Sequence, residues 1–267
     1  MQTVYGKPVH LGLQQAYSDQ YDPALLQPIE RSSCRALLPI KEFIGADLWT
    51  AFEVSWLDAL GKPCVAALEF EFPANSNHII ESKSFKYYLN SFNQTRLASR
   101  EELNQRLLND LSLASGGQVA VRDYVPPVAL GFDRQVLLDA LPLVEPAYKP
   151  APQLLSASGA QVQEVLCSHL LKTNCPVTGQ PDWASIWIGY EGAQIDHHGL
   201  LAYIVSFREQ QDFHENCVEH IYCDLWQRCA PVRLWVYARY TRRGGLDINP
   251  LRSSEPMAAP KLRGFRQ

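Results

Sequence analysis

Between residues 65 and 72 the chain alternates in polarity, with Leu68, Phe70 and Phe72 on one side and Glu69 and Glu71 on the other. A two-residue period predicts a half-buried strand. The preceding run, 47–57, is rich in aromatic and apolar residues, and Gly61-Lys62-Pro63 between the two reads as a turn. The pair predicts an antiparallel hairpin. The period then changes. Leu103, Leu107, Leu108 and Leu111 fall at helical spacing behind Ser99, an N-cap candidate with Glu102 three residues on. Gly116-Gly117 stops that helix, and 118–122 reads as a strand.

The second half repeats this outline. Residues 183–190 and 199–207 read as strands, Val218, Ile221, Tyr222 and Leu225 form a helical stripe, and Val232, Leu234, Val236 and Ala238 alternate as a closing strand. Tyr203-Ile204-Val205-Ser206-Phe207 echoes Tyr88-Leu89-Asn90-Ser91-Phe92. The pattern predicts an α+β fold of two similar units in tandem, each an antiparallel sheet with helices packed on one face. Pro8, Pro23, Pro28 and Pro39 break up the start of the chain, and Pro126, Pro127, Pro142, Pro146, Pro150 and Pro152 mark a semi-rigid connection. The expected division is an N-terminal extension over 1–45, a first unit over 46–125, the connection over 126–160 and a second unit over 161–267.

Composition narrows the class. The 267 residues are 46% hydrophobic and 19% charged, an ordinary globular balance. The net charge of -4 argues against a general nucleic-acid binder, so no direct nucleic-acid contact is expected. No apolar run approaches the roughly 20 residues that span a bilayer, and the start lacks a basic stretch followed by an apolar one. A cytoplasmic protein without membrane contact is expected. Its seven scattered cysteines would stay reduced, and packing is the safer role for most of them.

Four segments carry candidate chemistry. Cys175 begins the loop Cys175-Pro176-Val177-Thr178 downstream of Lys172, and Asp182 follows seven residues on, so one cleft could hold a nucleophile and a proton donor. On spacing alone, a packed loop cysteine with a turn or cap aspartate is the better reading. Phe213-His214-Glu215 could meet the donor edge of a purine or open a solvent-facing helix. Glu81-Ser82-Lys83-Ser84-Phe85-Lys86 suits a phosphate or a polar heterocycle, or a polar edge. Thr241-Arg242-Arg243-Gly244-Gly245 could grip a phosphate or form a basic turn. Cys217, His220 and Cys223 do not suggest a metal site, because 217 and 223 lie about 240° apart on a helix. Neither a G-x-G-x-x-G nor a P-loop pattern occurs.

In combination these segments resemble one family, the 7-cyano-7-deazaguanine reductases, NADPH-dependent nitrile reductases of queuosine biosynthesis. The resemblance rests on Glu81–Lys86 with the following Tyr87-Tyr88-Leu89-Asn90-Ser91-Phe92-Asn93-Gln94, on Cys175-Pro176-Val177-Thr178 with Asp182, on Phe213-His214-Glu215, and on 242–250. It spans about 45 to 255 and is closest to the family's long form, two tunnelling-fold (T-fold) units in tandem. It implies reduction of the nitrile of 7-cyano-7-deazaguanine to an aminomethyl group through a thioimidate on Cys175, with Asp182 and His214 also catalytic. It implies substrate contacts from Ile80, Glu81, Ser82, His214 and Glu215, NADPH contacts from Ser82, Lys83, Arg243 and Gly244, no metal, and a homodimer. The competing expectations are another T-fold purine or pterin enzyme, such as a GTP cyclohydrolase, and a non-catalytic purine-binding module.

Overall fold

The structure, a computed structural model, describes residues 2–4, 7–9, 18–143, 146–264 and 266. The chain divides by contact into two units: Met1–Ala36 with Asp47–Val125 and Arg242–Asp247, and Leu37–Ala46 with Pro126–Thr241 and Ile248–Gln267. The segment expected as a connection thus packs with the second unit.

In the first unit, β1 (Gln2–Val4) and β2 (Lys7–Val9) form a small hairpin, and β3 (Pro28–Glu30) leads into a single turn, α1 (Arg31–Cys34). The expected hairpin is β4 (Ile44–Leu57) and β5 (Pro63–Pro73), turned by Asp58, whose amide donates to the carbonyl of Lys62. Leu68, Phe70 and Phe72 are buried as the alternation requires, while Glu69 and Glu71 pair with Arg122. β6 (His78–Ile80) pairs with β3, and α2 (Ser82–Asn90) follows it. α3 (Arg100–Ser115) begins at Ser99, whose hydroxyl accepts from the Glu102 amide, and ends at left-handed Gly116. β7 (Ala120–Asp123) completes a sheet in the order β7-β5-β4. Phe85 of α2 seals this unit, meeting Trp49 and Phe70 edge-on with ring centroids 5.1 and 5.2 Å apart.

In the second unit, β8 (Gln135–Leu137), β9 (Ala157–Asn174), β10 (Pro181–Ile195), β11 (Arg233–Tyr240) and β12 (Leu246–Ser253) form a sheet in the order β12-β11-β10-β9-β8. The pairings are antiparallel except β8 with β9. α4 (His197–Ser206) packs on β9, and α5 (His214–Cys229) on β9 and β11. Cys167, Trp187, Tyr237, Leu251 and Leu262 form a buried cluster of this unit, with Phe132 and Trp235 packed against it.

One expected strand is a helix. Residues 199–207 fall in α4 and the 3-10 turn after it. Asp196 accepts from the amides of His198 and Gly199, which nucleates a helix. The run is apolar at nearly every position, so its period could not separate strand from helix. Val232 lies outside β11 and is exposed. β9 and β12 were not anticipated as strands.

The internal repeat is nevertheless literal in three dimensions. Tyr88 and Tyr203 each donate their hydroxyl to a helix aspartate, Asp110 and Asp224, at 2.6 Å. Ser91 Oγ donates to Tyr88 O at 2.7 Å, and Ser206 Oγ to Tyr203 O at 2.6 Å. Phe92 meets Tyr88 and Phe207 meets Tyr203 edge-on, at 5.4 and 5.3 Å. Glu81 and Asp196, at matching positions, cap the two helices through the amides two and three residues on. Burial and the adjacent carboxylate push both tyrosine hydroxyls far above their ordinary range, so they remain donors.

A buried ion pair ties α5 to β12. Arg252 and Glu219 are almost wholly excluded from solvent, and Nη2 and Nε donate to Glu219 Oε1 at 2.8 and 3.0 Å. Glu219→Ala would strand a buried guanidinium. It should lower unfolding free energy by about 3–5 kcal/mol, read by urea denaturation.

Candidate functional site

The chemistry predicted from Cys175 begins with the β9–β10 ladder. Thr173 lies opposite Asp182, and Asn174 opposite Pro181. One step further the Cys175 amide donates to Gln180 O at 2.8 Å, and Gly179 N donates back to Cys175 O at 2.9 Å. The turn between them depends on Gly179, whose φ is +68°. Successive strand side chains alternate faces, so Cys175 follows Thr173 onto the face that carries Asp182. Asp182 is buried, and Cys175 is half-buried.

His214 opens α5. Its Nε2 lies 3.3 Å from Asp182 Oδ2, and its ring lies flat on Tyr240, with centroids 3.6 Å apart and planes 2° from parallel. Its buried Nδ1 has no hydrogen-bond partner among the described residues. A buried polar atom normally finds a partner, so this one marks a place where a ligand can complete the set. Glu215 is buried beside it.

The approach of α5 to the cysteine loop is held by the segment before it. Asn174 N donates to Gln210 O at 2.8 Å, and Asp212 N donates to Asn174 O at 3.1 Å. Asp212 Oδ1 accepts from the Phe213 amide and from Asn216 Nδ2. Lys172, just before this loop, donates to Asn174 Oδ1 and Arg208 O, both at 2.7 Å. It braces the loop.

The other predicted residues belong to the first unit. Glu81 is buried and caps α2, accepting from Lys83 N at 3.0 Å and Ser84 N at 2.7 Å. A carboxylate has about four acceptor positions, so capacity remains for a ligand. Ile80 is buried in β6. The Ser82 hydroxyl lies 3.5 Å from Glu81 Oε1. Arg243 and Leu246 exchange backbone hydrogen bonds around Gly244 and Gly245, whose φ of +58° and +75° make a type I′ turn. Lys83 and Gly244 line one cavity of about 320 Å³ together with Lys86, Tyr87, Asn90 and Glu53. Ser82 and Arg243 adjoin that lining in sequence without being part of it. Two ammonium groups against one carboxylate, beside a turn without side chains, suit an anionic ligand.

Sequence reasoning missed Tyr240 and Thr173. Tyr240 continues the alternation of Leu234, Val236 and Ala238 by one more step, which is the signal that was available.

Burial pushes the thiols of Cys167, Cys217 and Cys223 up to about 12 and that of Cys229 to about 11. These four stay protonated, and so unreactive, until the solution becomes strongly alkaline. In the folded protein at about pH 8, iodoacetamide should modify Cys175 and the partly exposed Cys64 and spare those four. Peptide mass mapping reads the pattern, and equal labelling of the buried four would contradict it.

Comparison with known proteins adds two family matches. Residues 17–122 match the family described as "Nitrile reductase, 7-cyano-7-deazaguanine-reductase N-term", and residues 181–258 match "QueF-like protein". Among curated proteins, the "NADPH-dependent 7-cyano-7-deazaguanine reductase" of Bordetella avium is 53% identical, with 96% of this chain and 97% of that protein covered. Proteins of the same name from Albidiferax ferrireducens and Saccharophagus degradans are 52% and 51% identical. They cover 96% and 97% of this chain, and 97% and 99% of their own lengths.

Proposed function

The chain belongs to the NADPH-dependent 7-cyano-7-deazaguanine reductase family, and on that premise we propose that Cys175 is the nucleophile attacking the substrate nitrile, with Asp182 as proton donor. The enzyme is an oxidoreductase that uses NADPH to reduce the nitrile of 7-cyano-7-deazaguanine to a primary amine. The observation that carries the residue assignment is the buried Asp182–His214 pair, 3.3 Å apart, with Asp182 opposite Thr173, two residues before Cys175.

A nitrile carbon is a poor hydride acceptor. Addition of the Cys175 thiol breaks its S–H bond, forms a C–S bond, opens one C–N π bond and passes that electron pair to nitrogen, which takes a proton from Asp182 while the proton leaving sulfur restores the Asp182 carboxyl. The product is a thioimidate, a better electrophile. NADPH supplies two hydrides, which with two protons account for the four electrons and four hydrogens of the amine. Between them, Cys175 retains the half-reduced carbon through sulfur until the C–S bond breaks and the thiol is regenerated. His214, bound to Asp182 through Nε2, holds that carboxyl in place and offers Nδ1 to the substrate. Glu215 and Glu81 accept from the N–H donors of the deazaguanine ring, with Ile80 and Ser82 as further contacts. Lys83 and Gly244, with Ser82 and Arg243, hold NADPH. The lysine-lined cavity favours this reading because the 2′-phosphate that distinguishes NADPH requires cationic partners. No helix among the described residues is long and apolar enough to cross a membrane. A cytoplasmic homodimer acting in queuosine biosynthesis completes the proposal.

Cys175→Ala should abolish both turnover and the protein–substrate adduct seen by intact-mass spectrometry; an adduct of the same mass in that variant would rule out Cys175. Asp182→Asn should slow adduct formation by about 10²–10⁴-fold while changing substrate Kd far less. Lys83→Ala should raise KM for NADPH with little change in kcat, and NADPH absorbance should fall by two equivalents per product.

A further inference from the structure

We propose that Tyr240 is a positioning residue for this reaction: it fixes the plane of the His214 imidazole and thereby the direction in which Nε2 meets Asp182. The inference rests on the roles proposed above for Asp182 and His214.

Tyr240 is the last residue of β11, lies opposite Ala184 of β10, and is wholly buried. Its amide donates to Asn249 Oδ1 at 3.2 Å, which anchors the backbone from the β12 side. The torsion that swings an imidazole about its Cβ–Cγ bond is soft and broad. A histidine at the first position of a helix therefore needs something flat beside it to hold one ring orientation. Tyr240 supplies that surface. At 3.6 Å and 2° the two rings are in full van der Waals contact over parallel faces, whereas aromatic pairs more often sit offset or edge-on at 4.5–7 Å. A swing of the imidazole would drive one edge of it into the phenol.

The other end of Tyr240 is enclosed too. Its hydroxyl is buried near Cys217 of α5 and Thr173 of β9, and Thr173 is the ladder partner of Asp182. One side chain therefore spans the strand that places the carboxylate and the helix that carries the imidazole. Burial holds the hydroxyl well above its ordinary titration range, so its contribution is shape and not acid–base exchange.

The test separates ring from hydroxyl. Tyr240→Phe keeps the flat face and should leave kcat within about twofold of the parent, while Tyr240→Leu should lower kcat about 10- to 100-fold with KM for the nitrile changed far less. In a His214→Ala background, Tyr240→Leu should bring no further loss of kcat. A parental kcat in Tyr240→Leu while His214→Ala is slow would overturn the positioning role and leave the proposed site intact. An equal loss from Tyr240→Leu with and without His214 would also overturn it. Parental kcat in His214→Ala would remove the role proposed for His214, and this inference with it. Should Tyr240→Leu not fold, NMR of the unmodified enzyme decides: the His214 ring protons, assigned by their disappearance in His214→Ala, must lie upfield through the ring current of Tyr240. Shifts like those of the other histidines would overturn the stack.

Discussion

The register of β9 against β10 is the constraint from which the candidate site follows. Thr173 opposite Asp182 fixes which face the carboxylate takes, and the side-chain period carries Cys175 to the same face. A slip of one residue would send Asp182 to the other face of the sheet. The long, largely buried β10 makes such a slip costly, because Ala184, Ile186, Ile188 and Tyr190 would exchange faces with Ser185, Trp187 and Gly189. Gly189 is particular to one arrangement: a Cβ there would lie 2.1 Å from the Trp235 ring, so the indole can rest on the sheet only at that position. Apolar packing thus protects a polar arrangement it does not touch.

Helix starts supply the second constraint. The first amides of a helix need acceptors, and an acidic residue satisfies them in each unit: Glu81 before α2 and Asp196 before α4. In the first of these places the capped segment also presents candidate chemistry, Lys83, whose own amide bonds Glu81. Backbone saturation and side-chain presentation are solved together, so the chemistry inherits the rigidity of the cap.

Much of this was legible from sequence where one physical signal dominated. Leu68, Phe70 and Phe72 have one buried face, and α3 has a cap, a stripe and a glycine stop. Residues 199–207 misled because Leu200, Leu201, Tyr203 and Ile204 are all buried, which erases the period that separates helix from strand. β9 hid for the opposite reason: its first half, 157–164, is mostly solvent-facing and polar, so no apolar run announces it. The candidate nucleophile was found through its neighbours in a family pattern, not through spacing. The alternation that ends at Tyr240 announced its burial but not its role, which lies in a contact with His214 across 26 positions of chain, between a strand end and a helix start that only the folded sheet brings together.

The duplicated Tyr-x-x-Ser-Phe module has a consequence for how such a protein can change. An assembly built from one repeated subunit carries every substitution at all copies at once, so a change that suits one role is imposed on the others. Here the copies are separate stretches of one gene product. The second could carry a buried leucine, Leu201, where the first carries Lys86, and His198 where it carries Lys83, without cost to the first. Covalent duplication in this way releases the two halves from symmetry, and division of labour becomes available to a scaffold whose internal wiring stays the same.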